Sequence, residues 1–547
     1  MERGTLVADR IAQLLQRQGA EAIVGFPENR LFDSAALLGM RPIITRTERV
    51  AVNIADGFAR ATNGERFVPC AMQYGPGSEA AFAAVAQAFG DRSPILLLPG
   101  EHDVAVQSSS GPELRSELAY APITRFAATV NEAARGPEIF RRALGALRGP
   151  RNGPVLVAVA NDVLNGPAGE ADWDVKTSQP RLTQASSDDV AETARALLAA
   201  AHPVILAGQG VLYAGATAEL VRLAELTGTP VATTLNGKSG FPENHPLALG
   251  TAGRTRPATV DRFLEQADLV LGIGTSFTRS LYITPMPPGA TLGQITDDRR
   301  DLATGYDIAF GCVGDARLVL LQLLDAVGEA RNGRRETTES AVADVRGAFM
   351  GEWFTRLTSE AAPLNPYRVV WELMQLVDRT RTVVTHDAGH PRDQIVPFYE
   401  TLVPRGYLGW GKSTQLGTGL GLAMGARLAR PDWLAVNIMG DAAFGMVGMD
   451  FETAVRSRLP VLTIVLNNGL MGGYTQWMPD AVSRYGADRL GGRYADVARA
   501  LGGHAERVDR PDELRAALER CIASVAAGQA ALCEVATHEE PAMAGHT

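Results

Sequence analysis

The run Met439-Gly440-Asp441-Ala442 is followed, after 24 residues, by Asn467-Asn468. Each of these short motifs closes an apolar stretch, Leu434 to Met439 and Val461 to Leu466, and a helical segment, Gly448 to Arg456, lies between them. In an open α/β sheet two such strand ends lie side by side at the carboxyl edge, where ligands bind. A carboxylate (Asp441), an amide oxygen (Asn468) and a nearby backbone carbonyl, assigned here to Leu470, are the hard oxygen donors that Mg²⁺ takes, with phosphate completing its octahedron. Gly440 lets the backbone approach a diphosphate, and the helix opening at Ala442 and Ala443 can direct N–H groups at it.

Elements must position these residues. The first 160 residues alternate short apolar runs (Glu21 to Phe26, Phe67 to Met72, Ser93 to Leu98, Gly153 to Ala158) with Ala-rich segments of helical period, the βαβ pattern of a parallel sheet. A Gly, Pro, Ser and charge-rich stretch from Asn165 to Asp189 reads as a linker. A second α/β unit begins at Pro203 and fades near Gly328, and Glu329 to Glu339 makes a second break. A third unit runs from near Tyr367 through Thr382 to Thr385 and the two strands of the Asp441 motif. The expected organisation is α/β, with three doubly wound parallel-sheet domains at residues 1–168, 187–330 and 360–547.

Bulk properties narrow the function. With 46% apolar and 21% charged residues the chain should fold throughout, and its net charge of −9 leaves no basic surplus for nucleic acid. The four cysteines, Cys70, Cys312, Cys521 and Cys533, have no metal or disulfide spacing, which fits a reducing, cytoplasmic setting. No window is long and apolar enough for a membrane span, and the first residues read as an amphipathic helix instead of a signal peptide. Small molecules are the expected partners.

The Gly-Asp-Ala to Asn-Asn spacing resembles the motif of thiamine diphosphate-dependent enzymes. Ile43 to Arg60 matches a second motif of that family, in which a strand delivers a glutamate, here Glu48, onto a helix with apolar face Val50, Ile54 and Phe58. The resemblance implies that Glu48 shares a proton with the pyrimidine nitrogen of a cofactor held by the neighbouring subunit, so a homodimer or dimer of dimers is expected. Proton sharing lets the cofactor's own amine remove the thiazolium C2 proton. The amine reaches C2 only in a bent cofactor, and Leu416 falls where the family places its wedging residue. The pyrimidine-binding, central and diphosphate-binding domains of such enzymes supply the fold expectation.

The resemblance is closest to the acetolactate synthase group. Trp477, in Gly469 to Trp477, stands where that group shapes its second-substrate pocket. Departures are informative. Gln73-Tyr74-Gly75-Pro76-Gly77 replaces Ser-Gly-Pro-Gly, placing Gln73 beside the thiazolium, and Ser116 in Arg115-Ser116-Glu117 replaces a glutamine near the substrates. His386 to Gln394 is unusually titratable, and its two histidines, His386 and His390, stand at a strand end expected to face the cofactor, with Gly389 and His390 expected to bind it. Where the group's flavin-contacting arginines follow a Gly-Ala-Arg-Phe-Asp-Asp-Arg motif, the chain reads Gly274-Thr275-Ser276-Phe277-Thr278-Arg279, so FAD is expected to be absent. These readings imply a decarboxylase or carboligase acting on a 2-oxo acid or related carbonyl. The alternatives are a 2-hydroxyacyl-thioester lyase or 1,2-dione hydrolase using the same cofactor and, from another class, a non-catalytic regulatory homologue.

Overall fold

The computed structural model describes residues 5–27, 29–107, 114–149, 152–176, 182–330 and 338–545. Three six-stranded sheets, every pairing parallel, carry the chain. The N-terminal sheet runs Arg41–Ile44, Ala22–Gly25, Cys70–Met72, Leu96–Glu101, Val155–Ala160 and Phe126–Val130 in spatial order. The C-terminal sheet runs Tyr407–Leu408, Thr382–His386, Leu434–Gly440, Leu462–Asn467, Ala531–Ala536 and His504–Val508. Numbered along the chain within each domain, both have the order 2-1-3-4-6-5. The central sheet differs: Phe310–Val313, Thr291–Thr296, Leu269–Ile273, Pro203–Ala207, Val231–Thr234 and Ala248–Ala252 give 3-2-1-4-5-6 read from the opposite edge, the order of dinucleotide-binding domains. Both faces of each sheet are covered, which explains why the inner strands read as continuous apolar runs.

Equivalent helices of the outer domains meet. Helix Glu48–Ala61 follows the second strand of the N-terminal domain, and helix Gly419–Ala429 follows the second strand of the C-terminal domain. They cross backbone on backbone. A β-carbon at Gly57 would overlap the Leu422 carbonyl, one at Gly421 would overlap the Asn53 side chain, and one at Gly425 the Ile54 carbonyl. Val50, Ala51 and Ile54 share one apolar core with Leu420, Ala423 and Met424, so the two domains pack as a unit.

Charged groups buried at the three-domain junction add direction to this packing. Ser93 Oγ donates to Asp56, Arg60 donates to the Gly409 carbonyl, and Arg405 donates to Asn63 Oδ1 at 2.7 Å while lying over the Tyr213 ring. Burial pushes the Asp56 carboxyl up to about 6 against the pull of Arg60. Lys238 Nζ lies 2.6 Å from both Glu243 carboxylate oxygens, and Glu243 in turn takes the Thr401 N–H at 2.8 Å, tying the central domain to the C-terminal one. No helix among the described residues is long and apolar enough to cross a membrane.

The crossing predicts opposite outcomes for two helical glycines. Gly57→Ala should destabilise by about 1–3 kcal/mol, the range for overpacking. Gly145→Ala, where a β-carbon would meet nothing within 4 Å, should stabilise by about 0.5–1 kcal/mol through helix propensity. Thermal unfolding of the two variants checks both; a neutral Gly57→Ala would remove the close crossing.

Candidate active site

The C-terminal sheet brings Asp387 to His390, Asp441 and Asn467 to Leu470 to one carboxyl edge, because Thr382–His386 pairs with Leu434–Gly440 and that strand with Leu462–Asn467. The gap between the first and third strands is this topology's switch point, and Gly389, His390 and Asp441 lie on its two sides. Asp441 is buried. Its Oδ1 accepts the Ala442 N–H and its Oδ2 the Gly469 N–H, both at 2.8 Å, which fixes the carboxylate plane. Burial raises its pKa while these amides lower it. Asn468 Oδ1 accepts the Leu470 N–H at 3.0 Å, folding the turn that carries the Leu470 carbonyl.

This donor set fits the group expected there. One carboxylate, one amide oxygen and one main-chain carbonyl are hard ligands that leave an ion's remaining positions to phosphate. The space fits as well: a β-carbon at Gly440 would meet only Pro391 Cγ, at 3.7 Å, and one at Gly389, whose φ is +82°, would meet nothing. The Ala442 N–H, expected to face a diphosphate, is instead engaged by Asp441, and Ala443 is buried behind it. Gly472 lets the His390 ring sit close, its β-carbon position lying 2.8 Å from Nδ1, and Glu539 Oε1 accepts the Gly473 N–H at 3.0 Å. Burial holds the His390 pKa below its ordinary value.

The wedge segment has an anchor that sequence reading did not assign. Asp387, fully buried, accepts N–H groups from Ala388 (2.8 Å), Gly417 (2.8 Å) and Gly419 (3.0 Å). It therefore clasps the turn on either side of Thr418 and sets Leu416, which packs against Ala388, Trp410 and Leu422. Burial pushes its carboxyl up to about 6 despite the three donors. The signal was present in the titratable run after the strand. The same run misleads at His386: expected to face the cofactor, it lies in the core, stacked on Trp410 at 5.1 Å with 10° between planes, its imidazole held neutral by burial. Strand alternation turned its side chain away from the site.

The N-terminal domain supplies the other half. Glu48 opens its helix behind the Thr47 cap, whose hydroxyl accepts the Val50 N–H. From the C-terminal domain, Asp450 accepts the Arg46 N–H at 2.8 Å and the Thr47 hydroxyl at 3.1 Å, fixing the strand-to-helix turn. Glu48 is 7% exposed. Its Oε1 lies 2.6 Å from where a Gly77 β-carbon would be, and Gln73 Cβ lies 2.7 Å from the same point, so only glycine permits the arrangement. Ser116 is wholly buried, its hydroxyl 2.9 Å from that of Ser78, and Tyr120 donates to the Ser78 carbonyl. Glu48, Gln73 and Ser116 thus converge. Trp477 is apart from them, 78% exposed on a short 3₁₀ turn, Thr475–Trp477.

Sequence comparison assigns both halves to one enzyme family. Residues 5–119 match the thiamine pyrophosphate enzyme N-terminal TPP binding domain, 190–323 the central domain and 387–535 the C-terminal TPP binding domain. The acetolactate synthase large subunit of Mycobacterium tuberculosis is 32% identical, with 96% of this chain and 94% of that protein covered. The chain belongs to the thiamine pyrophosphate enzyme family. A probable acetolactate synthase large subunit of Methanocaldococcus jannaschii is 29% identical over 94% of the chain and 90% of that protein. The glyoxylate carboligase of Escherichia coli O157:H7 is 27% identical over 95% and 90%. Within the thiamine pyrophosphate enzymes this chain is therefore acetolactate synthase-like, and it carries both cofactor-binding domains.

If Asp441 holds the ion that anchors the diphosphate, Asp441→Ala should bind thiamine diphosphate at least about tenfold more weakly in the presence of Mg²⁺. Calorimetric titration of protein stripped by chelation and dialysis measures this, and unchanged affinity would remove the metal assignment.

Proposed function

We propose that this protein is a Mg²⁺- and thiamine diphosphate-dependent carboligase that joins a 2-oxo acid, after loss of CO₂, to a second carbonyl compound. The observation that carries the reading is the pairing of a buried glutamate at the first turn of Glu48–Ala61 with an Asp441, Asn468 and Leu470 oxygen set at a sheet switch point. Relatives named acetolactate synthase and glyoxylate carboligase support ligation over thioester lysis, dione hydrolysis or a non-catalytic role. Bound thiamine diphosphate supplies an acidic C2–H and an electron sink for the bond next to the carbonyl. Glu48 holds the proton shared with the pyrimidine ring, Leu416 supports the bend, and Asp441 with Asn468 holds the ion. Gln73 and Ser116 on the N-terminal half and Trp477 on its separate exposed turn are the residues assigned to the substrates.

A shared site explains the geometry of a single chain. Glu48 is held by N-terminal neighbours and Asp441 by C-terminal ones, and both half-sites are bordered by exposed apolar side chains: Phe82 and Leu118 on the N-terminal domain, Met446 and Met449 on the C-terminal one. A second copy docked in a two-fold arrangement would bury these side chains and place the Glu48 of each protomer over the Asp441 of its partner.

The reading also holds that no flavin takes part. A cavity of about 810 Å³ lies at the central switch point beside Gly208 and Gly274 and is roomy enough for a nucleotide. In the segment that departs from the motif preceding the acetolactate synthase group's flavin-contacting arginines, Ser276 stands in place of the motif's first arginine and pairs its hydroxyl with that of Thr278 at 2.8 Å.

Glu48→Gln should keep the cofactor yet slow C2–H/D exchange by orders of magnitude, because an amide shares no titrating proton. Mixing it with Asp441→Ala should restore part of the activity through hybrid dimers, and no recovery after verified subunit exchange would sink the shared site. Purified protein should lack visible flavin absorbance and form acetolactate from pyruvate slowly or not at all. Rapid acetolactate formation by a flavin-containing preparation would return the chain to ordinary acetolactate synthesis.

A further inference from the structure

Glu101 ends the fourth strand of the N-terminal sheet and is 2% exposed. Its Oε1 accepts the His102 N–H at 3.2 Å, whereas among the described residues its Oε2 has no hydrogen-bond partner. A buried carboxylate oxygen left unpaired is costly, and such a group persists where something else needs it.

Three independent features place that oxygen at the reaction edge. Side chains alternate along a strand, so Glu101 shares a face with Leu97, two pleats back. Leu97 packs with Val50, Cys70 and Tyr120, the face that carries Glu48, Ser78 and Ser116; Leu98, between them, packs in the opposite core. The neighbouring strand is registered Met72 to Pro99, so Gln73 leaves the sheet beside Gly100 and Glu101. Finally, the outer domains share one strand order, and the fourth strand that ends at Glu101 in the first ends at Asn467 in the second, next to the ion-binding Asn468.

We propose that Glu101 Oε2 is the specificity-determining acceptor for a hydroxyl group on the second substrate, so that this enzyme ligates a hydroxy-aldehyde or hydroxy-ketone in preference to a plain alkyl one. The proposal rests on the carboligase reading above. A hydroxyl suits the site because it can donate to the carboxylate oxygen without bringing a charge of its own to desolvate. An amino group would bring a charge to desolvate as the ammonium ion, and as the free amine it would condense with the aldehyde it accompanies, releasing water.

The holoenzyme should be assayed with glycolaldehyde and propanal, a pair in which hydroxyl replaces methyl, with pyruvate and glyoxylate tried in turn as donor. The wild type should favour glycolaldehyde in kcat/KM by about tenfold or more, since a site built for a hydroxyl rejects analogues that lack it. Glu101→Leu should abolish or invert this ratio mainly through KM, and Glu101→Gln should keep a part of it. Without substrate, Glu101→Leu should unfold at the wild-type temperature or above, because an unpaired buried carboxylate kept for function costs stability. A ratio near one in the wild type, or one unmoved in Glu101→Leu, would assign the oxygen to a structural water and overturn the subsite alone. A lower unfolding temperature for Glu101→Leu would make the carboxylate structural and overturn it as well. Failure of the wild type to ligate either aldehyde with either donor would overturn the carboligase reading and the subsite with it.

Discussion

The close crossing of Glu48–Ala61 with Gly419–Ala429 is the contact on which the rest of the molecule depends. Helices that meet through Gly57, Gly421 and Gly425 have one depth and one angle available, because any β-carbon there would strike backbone or a neighbouring side chain. Hydrophobic burial supplies the attraction, but the missing side chains supply the register. Each helix begins at a functional residue or its support, Glu48 in one case and the Leu416 to Thr418 turn in the other. Locking the pair therefore fixes the aim of both, and Asp450 adds a hydrogen-bonded stop at the Arg46 to Glu48 corner.

Buried acids do the finer positioning. Asp387 and Asp450 each spend a carboxylate on backbone or hydroxyl donors in segments that lead into site residues. Desolvation raises the pKa of both, which means that burial costs more than the donors return in the ionised form. Such groups weaken the fold at neutral pH relative to acid, since they bind protons more tightly folded than unfolded. The compensation is geometric. A carboxylate accepting three N–H groups from residues 388, 417 and 419 spans two loops that no apolar contact could hold with the same precision.

Much of this was legible in the sequence, and the reasons for the exceptions are physical. The inner strands announced themselves as apolar runs, so Ile23, Leu97, Val204 and Val436 all fall in strands where the runs predicted them. Edge strands such as Arg41–Ile44, Phe310–Val313 and Tyr407–Leu408 are short and partly exposed or brief, and carried no such signal. Glu48, Asp441 and Asn468 could be nominated from the sequence because the chemistry proposed for them demands particular residue types at the ends of particular strands. Asp450 was not, since a carboxylate that caps a distant loop has no local pattern, and Asp387 stood in a titratable run that marked the segment without showing which loop it would clasp. His386 was read from its company and not from its parity along the strand, and parity decided. The central domain's strand order was beyond the sequence, because which strand neighbours which depends on contacts between remote segments.

The shared 2-1-3-4-6-5 order raises the question of why the proposed ion is assigned to only one outer domain. Both present a polar pair at the ends of their third and fourth strands: Asp441 with Asn468 just past them in one, Gln73 just past and Glu101 at the last residue in the other. The difference lies in the volume beside each pair. Around Gly440 the backbone stands open, with only Pro391 near a would-be β-carbon, so a diphosphate and its ion have space. Around Gly77 the equivalent space is filled by Glu48 and Gln73 themselves. A doubly charged tail cannot enter there, whereas a flat ring that needs one proton-sharing carboxylate can lie against it. One topology thus offers open space beside Gly440 in one domain and a carboxylate-lined face beside Gly77 in the other, which suits the charged and neutral ends of one cofactor in the arrangement proposed above.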